Sequence, residues 1–132
     1  AQNLRDLGDT FGHHNEAEVL LIEWKARIDE VQSRVSGMHR IRCFMMEWVD
    51  PIYCSGHWVA EMVQMAGGYD LLARPGRDSV RVEWEEVLAS SPDVLILAPC
   101  GYNLDEASDQ IATLKSLPGW DTLPAVRNKK VY

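Results

Sequence analysis

Cysteine is scarce in this chain, and long apolar runs are missing from it. The three cysteines, Cys43, Cys54 and Cys100, form neither a disulfide framework nor a Cys-x-x-Cys zinc spacing. No apolar stretch approaches the roughly 20 residues of a membrane-spanning helix, and no signal peptide is visible at the start. The sequence therefore predicts no metal centre and no direct membrane insertion, and it leaves the redox compartment open.

Basic residues are outnumbered by acidic ones. Thirteen lysines and arginines stand against 20 aspartates and glutamates, which gives a formal net charge of −7. Phosphate backbones are bound by clustered positive charge, so the balance argues against nucleic acid as a partner. The length of 132 residues suffices for one domain with a core but not comfortably for two.

Signatures of catalysis are also missing. No paired carboxylates, no Gly-rich phosphate loop and no Ser-His-Asp pattern rises above chance. One enzymatic alternative stays open, in which Cys54 or Cys100 is a nucleophile and His57 its base. A Cys54–Cys100 disulfide is also conceivable, since both residues follow neighbouring strands. We expect no catalytic residue, and a thiol-dependent enzyme is the rival hypothesis.

Helical periodicity is strongest in the first third of the chain. It predicts a short helix over residues 3–11 and a long amphipathic helix over residues 16–35. Asn15 with Glu18 predicts a capping box at the start of the long helix. Acid-first pairs four residues apart are expected at Glu23/Arg27 and Glu30/Arg34. The apolar stripe of this helix consists of Leu21, Trp24, Ile28, Val31 and Val35.

Strand-like and helical segments alternate in the remainder. Strands are predicted in "IRCFMMEW", "SVRV", "DVLILA" and "KKVY". Helices are predicted in "HWVAEMVQMAGG", with its Gly-Gly pair as C-cap, in "EWEEVLASSP" and in "LDEASDQIATLKSL", which Asn103 and Glu106 cap. Such alternation predicts a three-layer α/β domain with a mainly parallel sheet over residues 38–132, after helices in residues 1–37.

Large and reactive side chains follow two of these strands. The stretch "MMEWVDPIYCSGHW" and the later "PCGY" occupy turns, where small polar residues are usual. Ligands of open α/β sheets bind at the carboxyl ends of the strands. The alternatives are core packing for the aromatic residues and a helix-cap role for His57. The predicted ligand-binding residues are Trp48, Tyr53, His57, Trp58, Cys100 and Tyr102.

Three segments carry a family resemblance. "EWVDPIYCSGHWVAEMVQMAGG", "PGRDSVRVEWEEVLASSPDVLILAPCGY" and "LPGWDTLPAVRNKKVY" resemble the C-terminal lobe of the substrate-binding proteins of cobalamin and iron-siderophore ABC importers. The cobalamin-binding subgroup is the most similar. The likeness covers roughly residues 40–132, and helix 16–35 resembles the helix that joins the two lobes. It implies half of a bilobal, non-catalytic protein that needs no cofactor.

The resemblance also assigns roles to residues. The loop from Trp48 to Trp58 would contact the ligand with Tyr53 facing it, and "PCGY" would be the second contact region. Glu85 would dock onto arginines of the ABC permease. The full-length parent would be periplasmic or extracytoplasmic and would carry a corrinoid. A ferric siderophore or haem is the alternative ligand, because the position near Ser79, aromatic in some cobalamin binders, is not aromatic here.

The two ends of the sequence suggest a larger architecture. Helices without a preceding strand open the chain, and a strand without a following helix closes it. In the family, part of the stripe on the long helix faces a lobe that is missing here. A large exposed apolar patch, such as this stripe would form, marks an association site. Exchange of an element between identical chains can cover such a patch. The sequence therefore predicts a homodimer.

Overall fold

A computed structural model describes all 132 residues and divides them into two units, Ala1–Gly37 and Met38–Tyr132. The first unit is a helical hairpin of α1 (Gln2–Phe11) and α2 (His14–Val35). The two helices approach closely at Gly8, where a Cβ atom would lie 2.6 Å from that of Ala17. No helix of the chain combines the length and the apolar character needed to cross a membrane.

The start of α2 differs from its prediction. The helix begins at His14, and no side chain caps it. The Glu18 carboxylate instead accepts hydrogen bonds from the Arg5 guanidinium of α1, which lowers the pKa of Glu18. The predicted Asn15 capping box is therefore wrong, because a residue of the neighbouring helix binds its acid.

The apolar stripe of α2 is largely exposed. Trp24, Ile28 and Val31 retain 48%, 44% and 44% of their accessible surface. The predicted Glu30–Arg34 pair forms, whereas Glu23 and Arg27 are not paired and Lys25 with Asp29 makes the equivalent contact. The homodimer stays a prediction, and the exposed stripe is the surface it would use.

The second unit is built on a four-stranded sheet. Its strands are β1 (Ile41–Val49), β2 (Ile52–Cys54), β3 (Gly68–Asp70) and β4 (Val94–Leu97). The long β1 pairs in parallel with β3 and with β4, and its end pairs antiparallel with β2. The helices are α3 (Val59–Met65), α4 (Trp84–Ser90), α5 (Leu104–Lys115) and α6 (Pro124–Arg127), and a 3₁₀ turn spans Trp120–Thr122. The predicted α/β fold with a mainly parallel sheet is thus confirmed.

Alternation along β1 separates the core from an open face. Phe44 and Met46 are fully buried and belong to one core cluster with Leu95. Ile41, Cys43 and Met45 line the other face, an apolar groove of about 350 Å³ beside α3. At the start of β4, Asp93 accepts two 2.9 Å hydrogen bonds from Arg42 of β1, and these lower the pKa of Asp93.

Two predicted strands are reduced to single bridges. "SVRV" contributes one antiparallel bridge from Arg81 to Tyr53, and "KKVY" one parallel bridge from Val131 to Leu95. The partner of "SVRV", β2, is only three residues long and offers little to pair with. Gly68, predicted in a C-cap, instead lies in β3, where it pairs with Ile41 of β1. A Cβ atom at Gly68 would lie 2.8 Å from the Cys43 Sγ atom, so this close approach favours glycine. Gly67, with a φ of 83°, makes the turn instead.

Candidate functional site

An open cavity of about 430 Å³ lies where β1 ends. Three chain segments form it: the β1–β2 hairpin, the loop between β3 and α4, and the loop after β4. Unlike the apolar groove beside α3, it combines aromatic surface with polar groups, as ligand sites do. Its lining residues are Glu47, Trp48, Pro51, Tyr53, Ser79 and Cys100.

The hairpin brings the two main aromatic side chains together. Trp48 and Tyr53 are directly opposite in the antiparallel register of β1 and β2, so both side chains extend from the same face. An irregularity between Met46 and Trp48 shifts the register, and such bulges re-aim side chains beside functional sites. The sequence had placed Tyr53 in a loop, whereas it is held within a strand.

Trp48 is fixed by two further contacts. Its indole N–H donates a 2.9 Å hydrogen bond to the Asp50 carbonyl. Its ring packs edge-on against Tyr102, with centroids 5.3 Å apart and planes at 73°. This geometry is favourable for aromatic pairs and orients the indole before any ligand arrives. The predicted residues Trp48, Tyr53, Cys100 and Tyr102 therefore cluster at one edge of the sheet.

His57 and Trp58 do not line the cavity. Both are exposed, Trp58 with 69% of its surface, and their rings are tilted at 37° to each other with centroids 5.6 Å apart. The His57 Nδ1 atom lies 3.9 Å from a carboxylate oxygen of Asp78. A contact of either residue with a ligand stays a prediction.

The three cysteines are free and differ in environment. Cys54 is fully buried, Cys43 is half-buried and Cys100 is exposed. Burial raises the pKa of the Cys54 thiol, whereas a nucleophilic cysteine needs a lowered one. No group of three or more His, Cys, Asp or Glu side chains is arranged to hold a metal ion.

This difference predicts a labelling order. Iodoacetamide should alkylate Cys100 first, and Cys54 should react only after the chain is unfolded, because only thiolate that is accessible reacts. Peptide mass spectrometry after timed labelling in buffer and in denaturant measures both rates. Rapid labelling of Cys54 in the folded chain would contradict this and would favour the thiol enzyme.

Glu85 lies at the start of α4 beside two acids with structural roles. Glu83 and Glu86 form a capping box, in which the Glu86 carboxylate accepts a 2.8 Å hydrogen bond from the Glu83 N–H. Glu83 also pairs with Arg81 at 3.2 Å. Glu85 is exposed and makes no hydrogen bond or ion pair, so its carboxylate is available to a partner.

From the sequence, no role was assigned to Glu47 of the cavity, and Ser79 was marked only as a position that is aromatic in some cobalamin binders. Glu47 stands alone as an acid in the apolar run "CFMMEWV", and Ser79 begins the segment mistaken for a strand. The isolated acid was the only available signal, because a carboxylate within an otherwise apolar strand requires hydrogen-bond partners.

Comparison with known proteins places the chain in a family. The family model described as "Periplasmic binding protein" matches residues 1–132. A curated relative, the molybdate-binding protein MolA of Haemophilus influenzae, is 28% identical over 98 residues. That alignment covers 74% of this chain and 26% of MolA.

Solved structures share the fold at low sequence identity. An ABC transporter substrate-binding protein from Listeria monocytogenes superposes with a TM-score of 0.83 at 21% identity, over 99% of this chain and 52% of the other. IsdE of S. aureus, solved with heme, gives 0.83 at 18% identity over 99% and 52%. The vitamin B12 binding protein BtuF of Vibrio cholerae gives 0.74 at 21% identity over 98% and 49%.

The chain thus spans about half the length of these solved proteins and about a quarter of MolA. The family match nevertheless extends from the first residue to the last. The fold agrees with it, since substrate-binding proteins of ABC transporters superpose on nearly the whole chain. On this basis the chain belongs to the periplasmic binding protein family.

Proposed function

We propose that this chain supplies one ligand-binding lobe of an ABC-importer substrate-binding protein, and that its ligand is a corrinoid. The observation that carries the proposal is the cavity at the end of β1, in which the Trp48–Tyr53 pair presents aromatic surface and Trp48 is held edge-on by Tyr102 outside the lining. A large flat macrocycle can be held by stacking and van der Waals contact, with few hydrogen bonds needed.

The charge of the cavity favours a neutral ligand. Its lining contains one carboxylate, Glu47, and neither lysine nor arginine. An oxyanion such as molybdate, bound by the relative MolA, needs clustered N–H donors or cations. Haem carries propionate groups that the carboxylate would repel. Haem or a ferric siderophore is the second candidate, supported by the likeness to heme-bound IsdE.

The proposed role is non-catalytic and extracytoplasmic. The cavity contains no nucleophile–base pair, since His57 lies outside it and burial raises the pKa of Cys54. In this proposal Glu85 is the docking contact for the permease, because it is exposed and unpaired at the start of α4. Its replacement should leave ligand binding intact and reduce transport in the complete system.

A ligand panel tests the proposal. Isothermal titration of the chain with cyanocobalamin, haemin, a ferric trihydroxamate and molybdate compares the candidates under one set of conditions. We expect measurable affinity for cyanocobalamin and weaker or no affinity for the others. Preferential binding of haemin or of the ferric chelate would move the assignment to the second candidate.

A further inference from the structure

Glu47 accepts hydrogen bonds from three loops around the cavity. One oxygen of its carboxylate, Oε1, accepts a 3.2 Å hydrogen bond from the Gly56 N–H, and the other, Oε2, accepts one from the Ser79 hydroxyl. Its backbone carbonyl accepts a 3.3 Å hydrogen bond from the Cys100 N–H. One residue of β1 therefore contacts the loop between β2 and α3, the loop before α4 and the loop after β4.

The loops it joins are in close contact. A Cβ atom at Gly56 would lie 2.4 Å from the Ser79 backbone nitrogen, so only glycine fits there. Gly56 is buried, and Ser79 and Glu47 are half-buried. The carboxylate thus sits at a fixed place in the cavity wall.

Hydrogen-bond capacity remains on this carboxylate. A carboxylate has about four lone-pair sites, and the contacts from Gly56 and Ser79 use two of them. Arg81, two residues after Ser79, is paired with Glu83, and Arg77, two residues before Ser79, does not line the cavity. The cavity therefore offers an acceptor of hydrogen bonds that carries negative charge without a compensating cation in its lining.

We propose that Glu47 determines specificity by selecting macrocycles with amide groups at their rim over macrocycles with carboxylates. Amide N–H groups of the corrin side chains donate to its free lone pairs, whereas carboxylates at the same positions meet an unscreened like charge. The inference rests on the proposed function, because it concerns the same cavity and the same class of ligand.

The matched ligands are dicyanocobinamide, whose side chains are amides, and dicyanocobyrinic acid, in which they are carboxylates on the same ring. The dissociation constants of both are measured by calorimetry for the unaltered chain and for Glu47→Gln. The unaltered chain should bind the acid at least about tenfold more weakly, and Glu47→Gln should reduce that ratio by about tenfold.

A control variant separates a local effect from the overall negative charge, and a salt series tests whether the discrimination is electrostatic. Asp78→Asn removes an acid whose side chain is 94% exposed and should leave the ratio unchanged. In the unaltered chain, added salt should reduce the ratio, since screening weakens repulsion. The salt series does not depend on folding of any variant.

The outcomes are distinguishable. If the unaltered chain binds neither corrinoid, the proposed function is wrong and this inference with it. If it binds dicyanocobinamide but the ratio of the two dissociation constants is unchanged in Glu47→Gln, the role of Glu47 is overturned and the proposed function stands. If that variant fails to fold, a ratio that does not respond to salt has the same meaning. An equal fall of the ratio in Asp78→Asn would also overturn it.

Discussion

Replacing Asp70 with alanine should lower the free energy of unfolding by on the order of 3 kcal/mol. Asp70 ends β3, and its carboxylate accepts three hydrogen bonds from backbone N–H groups. The donors are Met45 at 2.9 Å, Leu72 at 2.9 Å and Ala73 at 3.1 Å. Burial raises the pKa of Asp70, and the three N–H groups oppose that rise. Alanine would leave these donors without a partner in a partly buried place.

Two comparison variants, Asp70→Asn and Asp78→Ala, accompany Asp70→Ala. The free energy of unfolding of each is measured by urea denaturation. Asp70→Asn retains an oxygen for Leu72 and Ala73 but not a second one for Met45, so its loss should be intermediate. Asp78→Ala, at an exposed position in the following loop, should change stability by no more than about 0.5 kcal/mol. An Asp70→Ala chain as stable as Asp78→Ala would show that water replaces the carboxylate at little cost.

Replacing Trp48 with alanine should weaken cyanocobalamin binding roughly 30-fold, equivalent to about 2 kcal/mol. The indole lines the cavity opposite Tyr53 and is held edge-on by Tyr102. Its removal takes away the largest aromatic surface of the site and leaves Tyr102 without its partner. Calorimetric titration of the variant measures the change.

Trp48→Phe and Phe11→Ala are the matched controls. Phenylalanine keeps an aromatic face but loses the hydrogen bond to the Asp50 carbonyl, so a smaller loss is expected. Phe11 is 69% exposed on the helical unit, and its removal should leave affinity within a factor of about two. Equal affinities of Trp48→Ala and Phe11→Ala would move the ligand away from this cavity.

The elements with local signals were predictable from the sequence. The capping box of Asn103 and Glu106 forms as expected, with a 3.0 Å hydrogen bond from the Glu106 N–H to the Asn103 side chain. The apolar runs that became β1 and β4 carry their own signal, because short continuous apolar runs bounded by turn residues are typical of strands in α/β sheets. In each case the residues that decide the structure are neighbours along the chain.

Contacts between distant segments were not predictable in this way. Glu18 fits a capping box by spacing, yet it binds Arg5 of the other helix, and no local rule weighs the two partners. Likewise β2 forms because Tyr53 pairs with Trp48 of β1. This hairpin is too short to show the alternation of apolar and polar residues from which a strand is predicted. Tertiary pairing overrides local preference at both places.

The site shows the same division. The aromatic residues Trp48, Tyr53 and Tyr102 were found because they are unusual in turns, and the structure brings them together. Glu47 and its hydrogen bond from Ser79 were missed because that contact spans 32 positions of sequence. His57 and Trp58 carried the same loop signal but lie outside the cavity. The sequence could not separate them from the lining residues, because loop composition does not indicate which way each side chain faces.

The most direct test of the central claim is a map of the ligand on the chain. Amide resonances of the isotope-labelled chain are followed by NMR while cyanocobalamin is added. Addition of the same volumes of buffer without ligand is the control. The account predicts shifts concentrated at residues 47–58, at Ser79 and at residues 100–102, with α1 and α2 unchanged. Shifts centred instead on the apolar groove of Ile41, Met45 and Val63, or none at millimolar ligand, would contradict it.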